Sequence, residues 1–378
     1  MHASPIPAVG SLWRQARRLA DATPAERNRY VDFLRAVSIV VVIAGHWLVA
    51  APYFERGALV PGHMLALAPW TQWLTLAVQV MPVFFLVGGY ANAIAWRSTE
   101  RKRTGASVWL AGRLQRLLAP ALPVLFLWIG LGAAALFFGF DADLVRGTTQ
   151  VALVPTWFLA VYVAVTMAVP YAARAWERFG LRSVFALMAL AALVDGIGLT
   201  LSLPGLRYTN YAFVWLAIHQ LGFAWHAGAV RRPLLWAGFG GAALAALIGF
   251  GPYPIAMVGV PGETLSNSSP PSLALLALGV TQVGIVLRLQ GFVERWLARP
   301  RVWTGTILVN GMIMTVYLWH MTAMIAVVAL AVSLGGIGLG VPPGSGTWWM
   351  WRPVWLGAFA VALLAAVPVL RRFERPSA

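Results

Sequence analysis

Apolar stretches of about 20 residues recur from one end of this chain to the other, and each is long enough to cross the hydrocarbon core of a bilayer as a helix. Lipid offers no hydrogen-bond partners, so a backbone that enters it must satisfy itself, which a helix does within one segment. The charge content agrees. Of the residues, 60% are hydrophobic and 11% charged, whereas a soluble domain carries about a quarter charged residues. The sequence therefore predicts an all-α, polytopic membrane protein with about ten transmembrane helices. Apolar length and Gly, Pro and Arg punctuation place them at roughly 31–51, 71–96, 117–139, 152–171, 181–201, 208–228, 233–250, 272–289, 303–330 and 353–370.

Basic residues give the expected orientation. With the N-terminus assigned to the cytosol and sides alternating, all 28 Lys and Arg residues except Arg56, Arg146, Arg207 and Arg352 fall in cytosolic segments, as the positive-inside rule requires. Both termini are then expected in the cytosol. Residues 1–30 read as a basic tail with a short surface helix, 31–370 as the membrane domain and 371–378 as a second short tail. No small-residue cleavage site follows the first apolar run, so the start does not read as a signal peptide. The net charge of +16 sits in short clusters between apolar runs, which argues against nucleic acid as a partner. The absence of cysteine excludes disulfides, thiolate metal sites and a cysteine nucleophile. No metal site is expected.

Against this apolar background the first span, within "RNRYVDFLRAVSIVVVIAGHWL", carries Asp32, Arg35 and His46. Arg35 and His46 are eleven residues apart, which on an ideal helix separates them by about 20° in azimuth and about 16 Å in depth. Asp32 lies three residues before Arg35, on the same stripe. The spacing thus predicts one polar line, with Asp32 and Arg35 at the cytosolic mouth and His46 near mid-bilayer. His219 in "NYAFVWLAIHQLGFAW" and His320 in "VYLWHM" are expected at similar depth. Ionisable residues inside a membrane mark function by default, and their alternative use is a single interhelical hydrogen bond. Of the three, His219 is the one most suited to packing, with Gln220 and Asn210 as neighbouring partners. His226 and His63 fall nearer span ends and loops and carry less weight, and Asp195 reads as a helix-end polar group. Pro82 is expected to kink the second span, and the following "LVGGYANA" admits close helix approach. In "RKRTGASVWLAGRLQRLLAP", Arg113 and Arg116 are one turn apart at a membrane entrance. Such a pair can serve topology alone or clamp phosphate.

Taken together, "DFLRAVSIVVVIAGHW", "PVFFLVGGYANA", "GRLQRLLAP", "PTWFLAVY" and "VYLWHM" resemble, in order, the motifs of the acyltransferase-3 family of bacterial integral-membrane O-acyltransferases. The resemblance covers about residues 28–370. One departure is that no acidic residue follows Trp157 in "TWFLAVYVAV". The resemblance implies a multi-pass enzyme of the bacterial inner (plasma) membrane that moves an acyl group, acetyl being the expected one, from acyl-CoA to a hydroxyl of a glycan, lipid-linked sugar or secondary metabolite. Acyl-CoA is then a co-substrate, and no permanently bound cofactor is expected. Carried onto this chain, His46, His320 and Asp32 would be catalytic, with His46 a general base or acyl acceptor. Arg35, Arg113 and Arg116 would hold the donor's phosphates, and Trp157, Tyr162, His219 and Trp319 would line a substrate tunnel. The rival reading is a proton-coupled transporter using the mid-membrane histidines. Against it, no internal repeat and no paired broken helices are visible.

Overall fold

The computed structural model describes residues 9–24 and 26–371. The outer parts of the two expected tails, 1–8 and 372–378, lie outside the described residues.

Among the described residues, the regular structure is helical apart from one small hairpin. Helix α1 (Val9–Asp21) is amphipathic and leads into α2 (Arg29–Val49). Strands β1 (Tyr53–Glu55) and β2 (Ala58–Val60) form the antiparallel hairpin, followed by short helices α3 (Met64–Leu67) and α4 (Thr75–Val78). There follow α5 (Met81–Lys102), α6 (Ala106–Leu118), α7 (Leu122–Phe137), α8 (Ala142–Met167), α9 (Val169–Phe179), α10 (Leu181–Thr200) and α11 (Pro204–Arg207). The chain ends with α12 (Asn210–His226), α13 (Pro233–Phe250), α14 (Leu273–Leu297), α15 (Pro300–Asn310), α16 (Ile313–Ser333) and α17 (Gly346–Leu370). Polar caps start several of these helices where the sequence has Asn, Asp or Ser. Asn28, Asp141, Ser272 and Ser345 each accept a hydrogen bond from a backbone N–H in the following turn.

Among the described residues, nine helical segments are long and apolar enough to cross a membrane. The expected span at 208–228 differs. It forms α12, whose 17 residues are shorter than the other nine segments. Protein encloses this helix: Val214, Trp215, Ala217, Ile218, His219 and Leu221 have no exposed surface. Surrounded by neighbours, it does not need the apolar length that lipid contact demands. At the other extreme, α7 turns Phe126 and Phe137 outward, 69% and 85% exposed, as a lipid-facing helix does.

The second span also corrects an expectation. Pro82 does not kink a continuous helix but sits in the first turn of α5, where its missing N–H costs nothing. The chain breaks just before it, and Gln79 repairs the break. Its Oε1 accepts from Met81 N–H, its Nε2 donates to Met257 O, and Gln282 Nε2 donates to Gln79 O. Beyond the break, the "LVGGYANA" glycines do allow close approach. Gly89 of α5 faces Gly222 of α12, and a Cβ on Gly89 would collide with the carbonyl oxygen of His219.

Both ends of α2 are anchored. At its start, Asn28 Nδ2 donates to the Tyr90 hydroxyl at 2.9 Å, and Tyr30 Oη donates to Val286 O at 2.6 Å. At its far end, the Arg352 guanidinium of α17 donates to the carbonyls of Trp47 and Ala50 and lies over the Trp348 ring at 4.5 Å. A cation is favoured there because the last carbonyls of a helix are unpaired and carry partial negative charge. Arg207, another basic residue at the face opposite the arginine-rich loops, is buried in an ion pair with Asp195 at 2.8 Å. Asp195 also accepts from Tyr253 Oη and Leu273 N–H. Burial and this carboxylate push the Tyr253 phenol above its ordinary range. Asp195 is therefore the centre of a polar clamp.

Gly89→Ala is expected to destabilise the protein by about 1–3 kcal/mol, because the obstacle is backbone and cannot rotate away. Thermal unfolding of the detergent-solubilised protein checks this; a midpoint equal to the wild type would show that the two helices have room to part.

Candidate active site

Two helices bring two histidines together. Near the distal end of α2, His46 Nδ1 lies 2.8 Å from His320 Nε2 of α16, with the rings nearly parallel at an interplanar angle of 6°. His320 is wholly buried and His46 half-buried. Adjacent contacts fix the pair: Trp47 Nε1 donates to His320 O at 3.0 Å, and Trp128 Nε1 of α7 donates to Thr322 Oγ1 at 2.9 Å.

The protons can be assigned from one contact. His320 Nδ1 lies 2.5 Å from the carbonyl oxygen of Tyr317. A carbonyl only accepts, so this nitrogen carries a hydrogen. In an uncharged ring Nε2 is then the acceptor, and it must receive its hydrogen from His46 Nδ1. His46 Nε2 keeps the lone pair. Tyr317 is itself held, its hydroxyl donating to Pro155 O of α8 at 2.7 Å. The order is therefore a one-way chain of donors that ends on a peptide carbonyl and leaves a basic nitrogen at its other end.

That end lies on a chamber of about 410 Å³. Val41, Val42, Gly45 and His46 of α2 form one wall, and Trp157, Phe158 and Tyr317 form another. Val49 of α2, Met81 of α5 and Val154 of α8 extend these walls, and segments around the distal end of α2 add His63, Gln79, Tyr211 and Ser269. The chamber therefore lies towards the face opposite Arg35. His63 arrives there because its backbone bridges Ala50, just past the α2 terminus. Its Nδ1 is buried without a hydrogen-bond partner, and burial holds the ring below the usual imidazole range.

The arginines collect at the near end of α2. Asp32 pairs with Arg27 at 2.6 Å and with Arg35 at 3.5 Å, so it orients guanidinium groups and does not approach His46. Arg113 stacks on Trp109 at 5.5 Å, and its Nε is buried without a partner. Arg116 instead donates to Gly112 O of its own helix and is exposed, so the two arginines do not converge. Between this basic mouth and the chamber stand aromatic rings. Tyr162 packs on Phe84 and Phe158 with centroids 5.6 and 5.8 Å away, and Phe158 also lines the chamber.

Of the expected tunnel residues, Trp157 lines the chamber, Tyr162 stands behind Phe158, and Trp319 is buried in the core without reaching the chamber. His219 is remote from it. Its Nε2 lies 3.1 Å from Asn92 Nδ2 of α5, so its partner is neither Gln220 nor Asn210. Phe158 and Tyr317 escaped the sequence reading although they sit inside the quoted motifs beside Trp157 and His320. His63 carried little weight in the sequence because a loop holds it, Ser269 also comes from a loop, and Tyr211 stands at the start of α12 without any signal of its own.

The family described as an acyltransferase domain, of the acyltransferase-3 type, matches residues 28–371. No curated protein and no solved structure matches the chain.

The proton assignment has a direct spectroscopic consequence. Nitrogen-15 histidine spectra of the protein at neutral pH are expected to show His46 and His320 both as the Nδ1–H tautomer. An Nε2–H form of His46 would contradict the assignment.

Proposed function

Because the chain belongs to the acyltransferase-3 family, and is thus a multi-pass membrane acyltransferase with an acyl donor and an acceptor, we propose that its donor is acyl-CoA, with acetyl-CoA the expected species. The acceptor is a hydroxyl of a glycan, a lipid-linked sugar or a small metabolite. The observation that carries this reading is the His46 pair: a basic nitrogen on a chamber wall, backed by a donor chain that ends on a carbonyl.

The donor is held at the near end of α2. Arg35 and Arg113 face the nucleotide and pyrophosphate of CoA, and Arg113 offers a buried, unpaired Nε for a phosphate oxygen. Arg116 adds charge from the surface. Asp32 is a positioning residue, keeping Arg35 extended along the mouth. The pantetheine arm is long enough to carry the thioester past Tyr162 towards His46. The acceptor enters the chamber from the opposite side, so the protein lies in a bacterial plasma membrane with its arginine-rich face in the cytosol, where acyl-CoA is made.

At His46, Nε2 takes the proton of the acceptor hydroxyl as its oxygen attacks the thioester carbonyl. The C–S bond breaks, the new ester C–O bond forms, and the leaving thiolate takes the proton back as free CoA thiol. His320 steadies the imidazolium that exists between these steps, through the hydrogen bond to His46 Nδ1. Trp157 and Phe158 exclude water from the reacting carbonyl.

Purified protein supplied with acetyl-CoA and a hydroxyl acceptor is expected to release free thiol. His46→Ala should lower the rate by about 100- to 10,000-fold while the protein still unfolds cooperatively, with its midpoint lowered by the unpaired His320 Nε2; full activity would sink the assignment. Arg113→Ala is expected to raise the apparent KM for acetyl-CoA about tenfold, and Arg116→Ala far less. Equal effects of the two would show that the pair acts only as diffuse charge. A Cβ on Gly45 meets nothing within 4 Å, so Gly45→Leu should obstruct the chamber beside His46, lower transfer strongly and leave the fold intact.

A further inference from the structure

We propose that the chamber admits only an uncharged, hydroxyl-bearing portion of the acceptor, and that His63 is the side chain that recognises it across from His46. The inference rests on the reading of the chamber as the acceptor site and concerns what that site selects.

Two observations support it. First, among the described residues the lining contains no Asp, Glu, Lys or Arg. A phosphate, carboxylate or ammonium drawn into it would leave water without gaining a counter-charge, which is the costly way to bury an ion. Second, most of the polar groups on the lining are already committed. Thr75 Oγ1 donates to Gln72 O and accepts from Met257 N–H. The Gln79 amide is bonded at both of its ends, and Tyr211 donates to Ser269 Oγ. What stays open is His46 Nε2, the indole N–H of Trp157 and the ring of His63, whose nitrogens make no hydrogen bond within the protein. The bridge between Ala50 and His63 puts the second ring close to one helical turn beyond the first, since Ala50 is four residues, about 6 Å of rise, past His46. A second hydroxyl of the acceptor, or the neighbouring oxygen of a polyol, can then meet His63 while the reacting hydroxyl meets His46. An unpaired ring nitrogen on a closely lined chamber discriminates, because an acceptor that lacks the matching group leaves it unpaired once water is displaced.

The chain has no cysteine, so His63→Cys in the full-length protein creates its only thiol. Modification of that thiol is compared for three methanethiosulfonates of similar size: uncharged hydroxyethyl, anionic sulfonatoethyl and cationic trimethylammonioethyl. Each rate is normalised to Ala58→Cys, on the exposed strand of the hairpin. In the His63→Cys variant the uncharged reagent is expected to be favoured by on the order of 100-fold over either ion. Equal normalised rates would overturn the charge selection. In parallel, thiol release from acetyl-CoA is measured against glycerol as the acceptor probe. His63→Ala should raise the half-saturating glycerol concentration about tenfold, with kcat little changed, and His63→Gln should recover part of it. An unchanged glycerol dependence would overturn the role of His63. If the wild type releases no thiol at all, the reading of acetyl-CoA as donor to a polyol falls, while the labelling ratio still decides what the chamber admits.

Discussion

Everything in the candidate site hangs on α2 being held at both ends. A helix in a bundle can slide or rotate by a fraction of a turn at small cost, and His46 tolerates neither movement, because its 2.8 Å contact with His320 has a fixed direction. The near end is tied by Asn28 to Tyr90 and by Tyr30 to α14. The far end is tied by Arg352, a buried cation whose partners are the carbonyls of Trp47 and Ala50 rather than a carboxylate. Ala50 is also where His63 is attached. One guanidinium therefore sets the height of two histidines that come from a helix and a loop.

The same residue explains an irregularity in the charge pattern. Arg56, Arg146, Arg207 and Arg352 break the otherwise regular placement of cations. Arg352 caps α2 and Arg207 neutralises Asp195 inside the protein, whereas Arg146 makes only an exposed pair with Asp143 at 3.1 Å. Two of these four cations thus have structural duties, so those two carry no information about orientation.

How much could be read from the sequence follows from this division of labour. The long helices were legible because lipid imposes a minimum apolar length, and α2 lies within two residues of its expected limits. The line from Asp32 through Arg35 to His46 was legible because helical geometry fixes azimuth from spacing alone. What spacing cannot give is contact between elements far apart in the chain. Nothing local says that His320 comes to His46 while His219 goes to Asn92. The shortness of α12 was hidden because burial by protein and burial by lipid select the same residues. The His63 wall of the chamber was hidden because a loop, whose course has no period, delivers it.

If donor and acceptor arrive from opposite sides, as proposed, the enzyme has built most of a pore. Between the arginine-rich mouth and the chamber stand three rings, Phe84, Phe158 and Tyr162, packed edge to face or tilted against one another. Such a stack can part around a thin, flexible chain and shut behind it, whereas a hydrated ion would have to shed its water to follow. The aromatic partition thus makes the bilayer's insulation a property of side-chain packing at one level, and the cell's ion gradients become a constraint on which residues can stand there.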